Sequence, residues 1–209
     1  MINLEPNSPI LLGGVKRILF CGYTNNILID FLRSFNHEVC VTSDILDFKA
    51  TKNAKFDFLI SYGYTHIIKQ EIINLFPKSA VNLHISFLPF NRGSDPNFWS
   101  FVENSKKGVS IHYINAGLDK GEIIAQKEIF FDINKETFAS SYLRLKSEIE
   151  TLFMSIWHQI EQKTCHSIAQ TQKGSYHKTI DKQKYLPYLT QGYNTNIKEF
   201  LHKINTKFN

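Results

Sequence analysis

Asn82 and His84 stand two positions apart in Ala80-Val-Asn-Leu-His84, a segment whose composition reads as a β-strand. Alternation along a strand sends their side chains off the same face. Both lie at the strand's carboxyl end, directly before a loop rich in turn residues from Phe87 to Pro96. Histidine titrates near neutral pH and a carboxamide both donates and accepts hydrogen bonds, so the pair is a candidate site by position. The same two residues could equally be a hydrogen-bonded Asn and His that support the loop. Asp119, between Gly117 and Gly121, reads by itself as a turn residue.

Other polar residues carry less. His112 falls on a strand, opposite the Val109, Ile111 and Tyr113 face, and is expected to be structural or to support the site from behind. His37, His66, His158, His166 and His202 have no neighbouring ligands at metal spacing, so no metal is expected. Ser86, Ser94 and Ser110 lack the strand-turn-helix setting of a hydrolase nucleophile. The three cysteines, Cys21, Cys40 and Cys165, are an odd number without a C-x-x-C pair, which points to a reducing, cytoplasmic setting and away from a disulfide framework.

The elements that must position these residues alternate between strand and helix. Arg17-Ile-Leu-Phe-Cys21 is an apolar run opening onto Gly22, and Thr24 is a plausible N-cap for a helix carrying Ile27, Leu28, Phe31, Leu32 and Phe35. Glu38–Thr42 and Phe56–Ser61 read as strands, Thr65–Phe76 as a helix stopped by Pro77, and Ala80–His84 as a fourth strand. A short helix follows over 97–104, strands over 108–114 and 123–131, and a long amphipathic helix over 136–162. The turn signal at Gly174 predicts a hairpin within 171–177, and 195–204 is a last helical candidate. This order predicts an α/β fold with a mostly parallel, helix-covered sheet, which places ligands beyond the carboxyl ends of its strands. A boundary near 163–172 divides a catalytic domain, residues 1–165, from a short extension, residues 166–209, of hairpin and helix.

Composition bounds the classes. The 209 residues are 43% hydrophobic, with only 6 Pro and 10 Gly, which excludes disordered and collagen-like chains. No apolar stretch approaches the roughly 18–20 residues of a membrane span. The short run Ile10-Leu-Leu12, ending at Gly13-Gly14, has no basic segment before it and is not read as a signal peptide. A net charge of +5 without a Lys/Arg cluster reads as a solvated surface rather than a nucleic-acid groove.

Several further elements occur in a specific order. Val81-Asn-Leu-His-Ile-Ser-Phe-Leu-Pro-Phe-Asn-Arg-Gly93 is followed by Gly108-Val-Ser-Ile-His-Tyr-Ile114 and by Gly117-Leu-Asp-Lys-Gly-Glu-Ile-Ile124. Together they resemble the signature of the formyltransferases that use N10-formyltetrahydrofolate, whose catalytic domain is Rossmann-like. The resemblance implies that Asn82, His84 and Asp119 form the catalytic set. Amine attack on a formyl carbon needs a donor for the developing oxyanion and a base for the amine's proton. The resemblance implies Asn82 on the formyl oxygen, His84 as base and Asp119 holding and polarising the imidazole. Leu88–Pro89 is a candidate cis bond within the loop.

The loop Leu88-Pro-Phe-Asn-Arg-Gly-Ser-Asp-Pro-Asn-Phe-Trp99 and the tail Gly174-Ser-Tyr-His-Lys178 with Asp181 are most similar to the sugar-nucleotide branch of that family. The implied substrate is a dTDP-linked amino-deoxysugar, most often dTDP-4-amino-4,6-dideoxyglucose, with a product used in O-antigen or other surface polysaccharide (lipopolysaccharide) synthesis. By the same resemblance Asn91, Arg92, Gly93 and Trp99, with Tyr176, His177 and Lys178, should lie near the sugar nucleotide. Trp99 could instead be a core residue of its short helix. Tyr62-Gly63-Tyr64 and Asn115-Ala116-Gly117 should line the folate site. The chain beyond Lys163 is shorter than the tRNA-binding domain of methionyl-tRNA formyltransferases, which argues against that substrate. Glycinamide ribonucleotide formylation and a non-catalytic basic binding module are the alternatives. Relatives are commonly homodimers, and Tyr185, Leu186, Tyr188 and Leu189 could form an interface or pack back on the domain.

Overall fold

A computed structural model of the chain describes residues 14–208; the run Ile10–Leu12 and Gly13 lie outside them. In chain order the elements are β1 (Arg17–Gly22), α1 (Ile27–Arg33), β2 (Glu38–Thr42), α2 (Phe48–Ala54), β3 (Phe58–Tyr62), α3 (Gln70–Ile73), β4 (Ala80–His84), β5 (Arg92–Gly93), α4 (Pro96–Val102), β6 (Gly108–Tyr113), β7 (Ile123–Glu128) and α5 (Phe138–Glu161). After α5 come β8 (Tyr176–His177), a 3-10 helix (Thr179–Tyr188), β9 (Thr190–Tyr193) and α6 (Ile197–Phe208).

Six strands form one sheet in the order β2-β1-β3-β4-β6-β7. The first three pairings are parallel and the last two antiparallel. The predicted α/β architecture is therefore present, with its helices on both faces. Alternation in β1 explains why: Ile18 and Phe20 enter one core with α1 and α5, while Leu19 and Cys21 enter another with Ile72 and Phe76. A strand buried on both sides reads as the unbroken apolar run seen in the sequence. On α5, Leu145, Ile149, Phe153, Trp157 and Ile160 recur every three or four residues and cover β4 and β6. Thr137 caps that helix, accepting from the Ser140 N–H at 3.0 Å while the Ser140 hydroxyl accepts from the Thr137 N–H.

Several elements depart from the sequence expectations. Asn26, not Thr24, caps α1, its side chain accepting the Leu28 N–H at 2.8 Å. The chain stays against β3 past Gly22, where the Tyr23 N–H donates to the Tyr62 carbonyl, and so turns into the helix later. Of the helix predicted over Thr65–Phe76 only Gln70–Ile73 is α-helical, because Lys69 is still extended and Ile67 is 83% exposed rather than packed. Helix α2 has no apolar stripe to mark it in the sequence: it buries only Thr51, and its start is fixed by Asp47 accepting the Ala50 N–H.

The C-terminal hairpin is also corrected. Tyr176–His177 pairs in parallel with Arg92–Gly93 instead of folding back on its own segment. Gly174 lies so close to the main chain of Pro89 that a Cβ would sit 1.8 Å from its carbonyl oxygen, which draws the segment onto the loop after β4. The extension is built into the fold: Ile197, Phe200 and Ile204 share a core cluster with Phe98, Trp99, Phe101 and Phe138. Tyr185, Tyr188 and Leu189 pack against that cluster, while Leu186 is 47% exposed. No helix among the described residues is long and apolar enough to cross a membrane.

Candidate active site

The carboxyl ends of β1, β3 and β4 open into a cavity of about 980 Å³. Parallel pairing makes this opening, since every strand of β1, β3 and β4 delivers its last residues and its following loop to the same edge. Asn82, His84 and Asp119 all line it. Asp119 reaches them from the turn after β6, which runs antiparallel to β4 from beside His84 to a point opposite Val81, so that the turn folds back over Asn82.

The register of β4 and β6 also sets Asn82 directly opposite His112. Cross-strand partners share a face, which brings His112 into the cluster. The Asn82 amide nitrogen lies 3.1 Å from His112 Nε2 and donates to Asp119 Oδ1 at 3.1 Å. His112 Nδ1 lies 2.8 Å from the Tyr113 carbonyl oxygen, which can only accept. The proton is thus on Nδ1, and Nε2 accepts from Asn82. Both amide hydrogens of Asn82 are committed in this way, leaving its carbonyl oxygen for a ligand.

His84 is fixed by the main chain. Its Nε2 lies 3.1 Å from the Asn91 carbonyl oxygen and must carry the proton, which leaves Nδ1 as the nitrogen with a free lone pair. Nδ1 is 3.8 Å from Asp119 Oδ2, outside hydrogen-bond range but close enough for charge to act. Asp119 Oδ2 itself accepts the Gly93 N–H at 2.9 Å. Burial alone would raise the Asp119 carboxyl; the charge of the neighbouring His84, together with the Gly93 N–H, outweighs it and holds it well below the usual carboxylate range. The expected holder of the imidazole is therefore divided in two: the Asn91 carbonyl orients it and Asp119 supplies the charge.

Three residues around this cluster have left-handed backbones: Asn91 at φ 54°, Gly93 at 84° and Asp119 at 51°. Gly93 is required where it stands, since a Cβ would lie 2.4 Å from the His177 carbonyl oxygen. Leu88–Pro89 is cis. Ser110, on β6, fixes the same loop, accepting the Leu88 N–H at 3.0 Å and donating to the Ser86 carbonyl at 2.7 Å.

The remaining expected residues fall into two groups. Tyr62, Gly63, Tyr64, Asn115, Ala116, Gly117 and Gly93 line the cavity. Asn91, Arg92, Trp99, Tyr176, His177 and Lys178 do not. The Asn91 side chain is fully buried and bonded to Glu103, Ser105 and Ser175. The Arg92 guanidinium donates to Gln170 Oε1. Trp99 is 4% exposed and stacks on His177 with centroids 3.9 Å apart, so it is a core residue of α4 as its alternative reading had it. His177 Nε2 faces Glu103 at 2.8 Å. Tyr176 is half exposed against Gly93, and the Lys178 N–H donates to Asp181 at 2.7 Å.

Sequence reasoning missed the far wall. Tyr23 and Tyr142 line the cavity beside Tyr62, their hydroxyls 2.5 Å apart, and Tyr62 donates to Glu150 at 3.2 Å. Burial raises the phenols of Tyr62 and Tyr142, so both stay protonated donors. Burial likewise pushes the Cys21 thiol up to about 12, consistent with an inert packing residue. Among the described residues no group of three or more His, Cys, Asp or Glu is arranged to hold a metal ion.

A carboxylate held ionised beside an imidazole nitrogen, with an amide acceptor next to it at the end of a parallel sheet, is an arrangement that can take up and return a proton. The formyl transferase family matches residues 43–156, more than half of the chain, and the chain belongs to that family. It is 48% identical to the formyltransferase PseJ from Anoxybacillus kamchatkensis, with a TM-score of 0.85 over 90% of this chain and 98% of that one. That enzyme is seen in complex with UDP-4,6-dideoxy-4-formamido-L-AltNAc and tetrahydrofolate. A 4-N formyltransferase from Francisella tularensis, at 22% identity and a TM-score of 0.70, shares the fold over 83% of this chain and 81% of its own. The methionyl-tRNA formyltransferase of Alkaliphilus oremlandii is 28% identical over 67% of this chain, a match spanning 43% of that enzyme's length.

Proposed function

We propose that this protein transfers the formyl group of N10-formyltetrahydrofolate to the amino group of a nucleotide-linked amino-deoxysugar. The observation that carries this reading is the 48% identity over nearly the whole of a formyltransferase seen with a 4-formamido sugar nucleotide and tetrahydrofolate. The residues fit a folate: the cavity is large, its Tyr62–Tyr64 and Asn115–Gly117 turns line it, and Asn82, His84 and Asp119 open into it. The folate supplies the formyl carbon that the amine attacks.

The chain's own residues do the rest. The Asn82 carbonyl oxygen accepts an N–H of the incoming amine and aims its lone pair. His84 Nδ1 takes the proton that the amine loses and returns it to the departing nitrogen. Asp119, ionised across the working range, stabilises the imidazolium between the two transfers. Asn82 in this scheme orients the amine, a different role from the expected contact with the formyl oxygen, because its N–H groups are already held by His112 and Asp119.

For the nucleotide sugar, the same relative supports a UDP-linked 4-amino-4,6-dideoxy sugar of the AltNAc type ahead of dTDP-4-amino-4,6-dideoxyglucose. A coupled assay should offer N10-formyltetrahydrofolate with UDP-4-amino, dTDP-4-amino and dTDP-3-amino sugars and with glycinamide ribonucleotide. Highest kcat/KM on the UDP-4-amino sugar is expected. Turnover of glycinamide ribonucleotide with none of the sugars accepted overturns the reading.

A further inference from the structure

Gln170 lies on the C-terminal side of the Ile123–Ile168 bridge that pins the extension to β7. Its amide nitrogen donates to the Asp119 carbonyl at 2.9 Å and to the Gly121 carbonyl at 2.7 Å. Its oxygen accepts from Arg92 Nη2 at 2.8 Å and Nε at 3.3 Å. Two carbonyls can only accept and a guanidinium can only donate, so the orientation of the amide is fixed by its partners.

Those partners belong to the two segments whose relative position defines the site. Arg92 stands between Asn91, whose carbonyl orients His84, and Gly93, whose N–H holds Asp119. Asp119 and Gly121 belong to the facing turn. Among the described residues the two segments otherwise meet through the Gly93–Asp119 hydrogen bond, and Asp119 has a left-handed backbone that is disfavoured for a non-glycine residue.

We propose that Gln170 is a positioning residue for the formyl-transfer reaction, a side-chain clamp from the extension that sets the distance between His84 and Asp119. This rests on the proposed function for its kinetic consequence and on the geometry for its structural one. A displacement near 1 Å between reacting groups costs on the order of 10²-fold in rate. Gln170 lines no part of the cavity, so substrate binding is not its task.

The test uses the full-length chain and three variants. Q170M keeps the volume and deletes all four contacts. Q170E keeps an acceptor for Arg92 but sets a carboxylate oxygen against two carbonyls. S167A removes a neighbouring extension contact, Ser167 to Glu122, that touches neither segment. Expected are a fall in kcat of roughly 10- to 100-fold for both Gln170 variants, with KM for folate and amine within about 3-fold, and an unchanged kcat for S167A. Faster amide exchange at Gly93 in Q170M is expected whatever the substrate proves to be. The clamp is overturned by a Q170M kcat within about 2-fold of wild type, by restoration of kcat in Q170E, or by an equal fall in S167A. If the wild type turns over none of the amines, the function fails, and unchanged Gly93 exchange then overturns the clamp. Should Q170M not fold, Q170E, which retains the Arg92 contact, carries both readouts.

Discussion

Asp119→Asn isolates the charge at the centre of the site. The carboxylate accepts the Gly93 N–H at 2.9 Å and the Asn82 amide at 3.1 Å, one on each oxygen, and is buried. An amide of the same shape has one accepting oxygen and one donating nitrogen, so either the Gly93 N–H or the Asn82 amide is left facing a donor. Hydrogen bonds to a charged group contribute about 1.5–3 kcal/mol, and an unsatisfied buried donor costs about 1–3 kcal/mol. A loss of about 2–4 kcal/mol at pH 7 follows, or roughly 4–16 °C in Tm for a chain of this size. The sign of the pH dependence is set by the direction of the shift. The folded carboxyl lies below its unfolded value of about 3.9, so its contribution is complete above that value and disappears as pH falls towards the folded one. Thermal unfolding of wild type and variant at pH 7, 5, 4 and 3 should therefore show a gap that narrows below about pH 4. Formyl transfer at pH 7 should drop by about 10²-fold or more as the imidazolium loses its counter-charge. Equal stability at pH 7, or a gap that widens between pH 4 and pH 3, refutes the reasoning.

His84→Asn removes the base and should lower kcat by roughly 10²–10⁴-fold with folate binding kept; near-normal kcat in steady-state assays takes His84 out of that role. Gly93→Ala should cost about 1–3 kcal/mol, because a β-carbon at φ 84° meets the His177 carbonyl, and should slow turnover by moving the N–H that holds Asp119; calorimetry and kinetics on one preparation check both. Phe200→Ala, at a fully buried site shared with Phe98 and Phe138, should cost about 3–5 kcal/mol in one cooperative transition; a separate early transition would make the extension an independent unit.

The strands and the long α5 helix were legible because burial on both faces, or along one stripe, leaves an apolar pattern within one segment of chain. Asn82 and His84 were legible as a pair because they stand two positions apart on one strand, whereas Asp119 read by itself as a turn residue and joined them only through the family resemblance. What the sequence hid are contacts made across the chain by groups without a pattern. The Asn91 carbonyl that orients His84 belongs to every residue type, so no side chain announces it. His112 joins Asn82 only through the antiparallel register of β4 and β6. Gln170 meets Asp119 across 51 positions and Arg92 across 78. Helix α2 hid for another reason, since an element that buries one residue has no stripe to read.

The strain in the site explains why the extension is joined to it so closely. Asn91 and Asp119 hold left-handed conformations that cost non-glycine residues of order 1–3 kcal/mol each, though Asn and Asp tolerate them best. Around Asn91, Ser175 accepts its backbone N–H at 2.9 Å and the Ser175 carbonyl accepts that of Arg92 at 3.1 Å. The His177 carbonyl accepts the Ser94 N–H at 2.9 Å, completing a short parallel ladder along the loop. At about 0.5–1.5 kcal/mol each, three such bonds offset the strain of Asn91, and the Gln170 bonds do the same for Asp119. Residues 170–177 thus reach the site from outside the cavity, through hydrogen bonds to the two loops in which Asn91 and Asp119 hold their left-handed conformations.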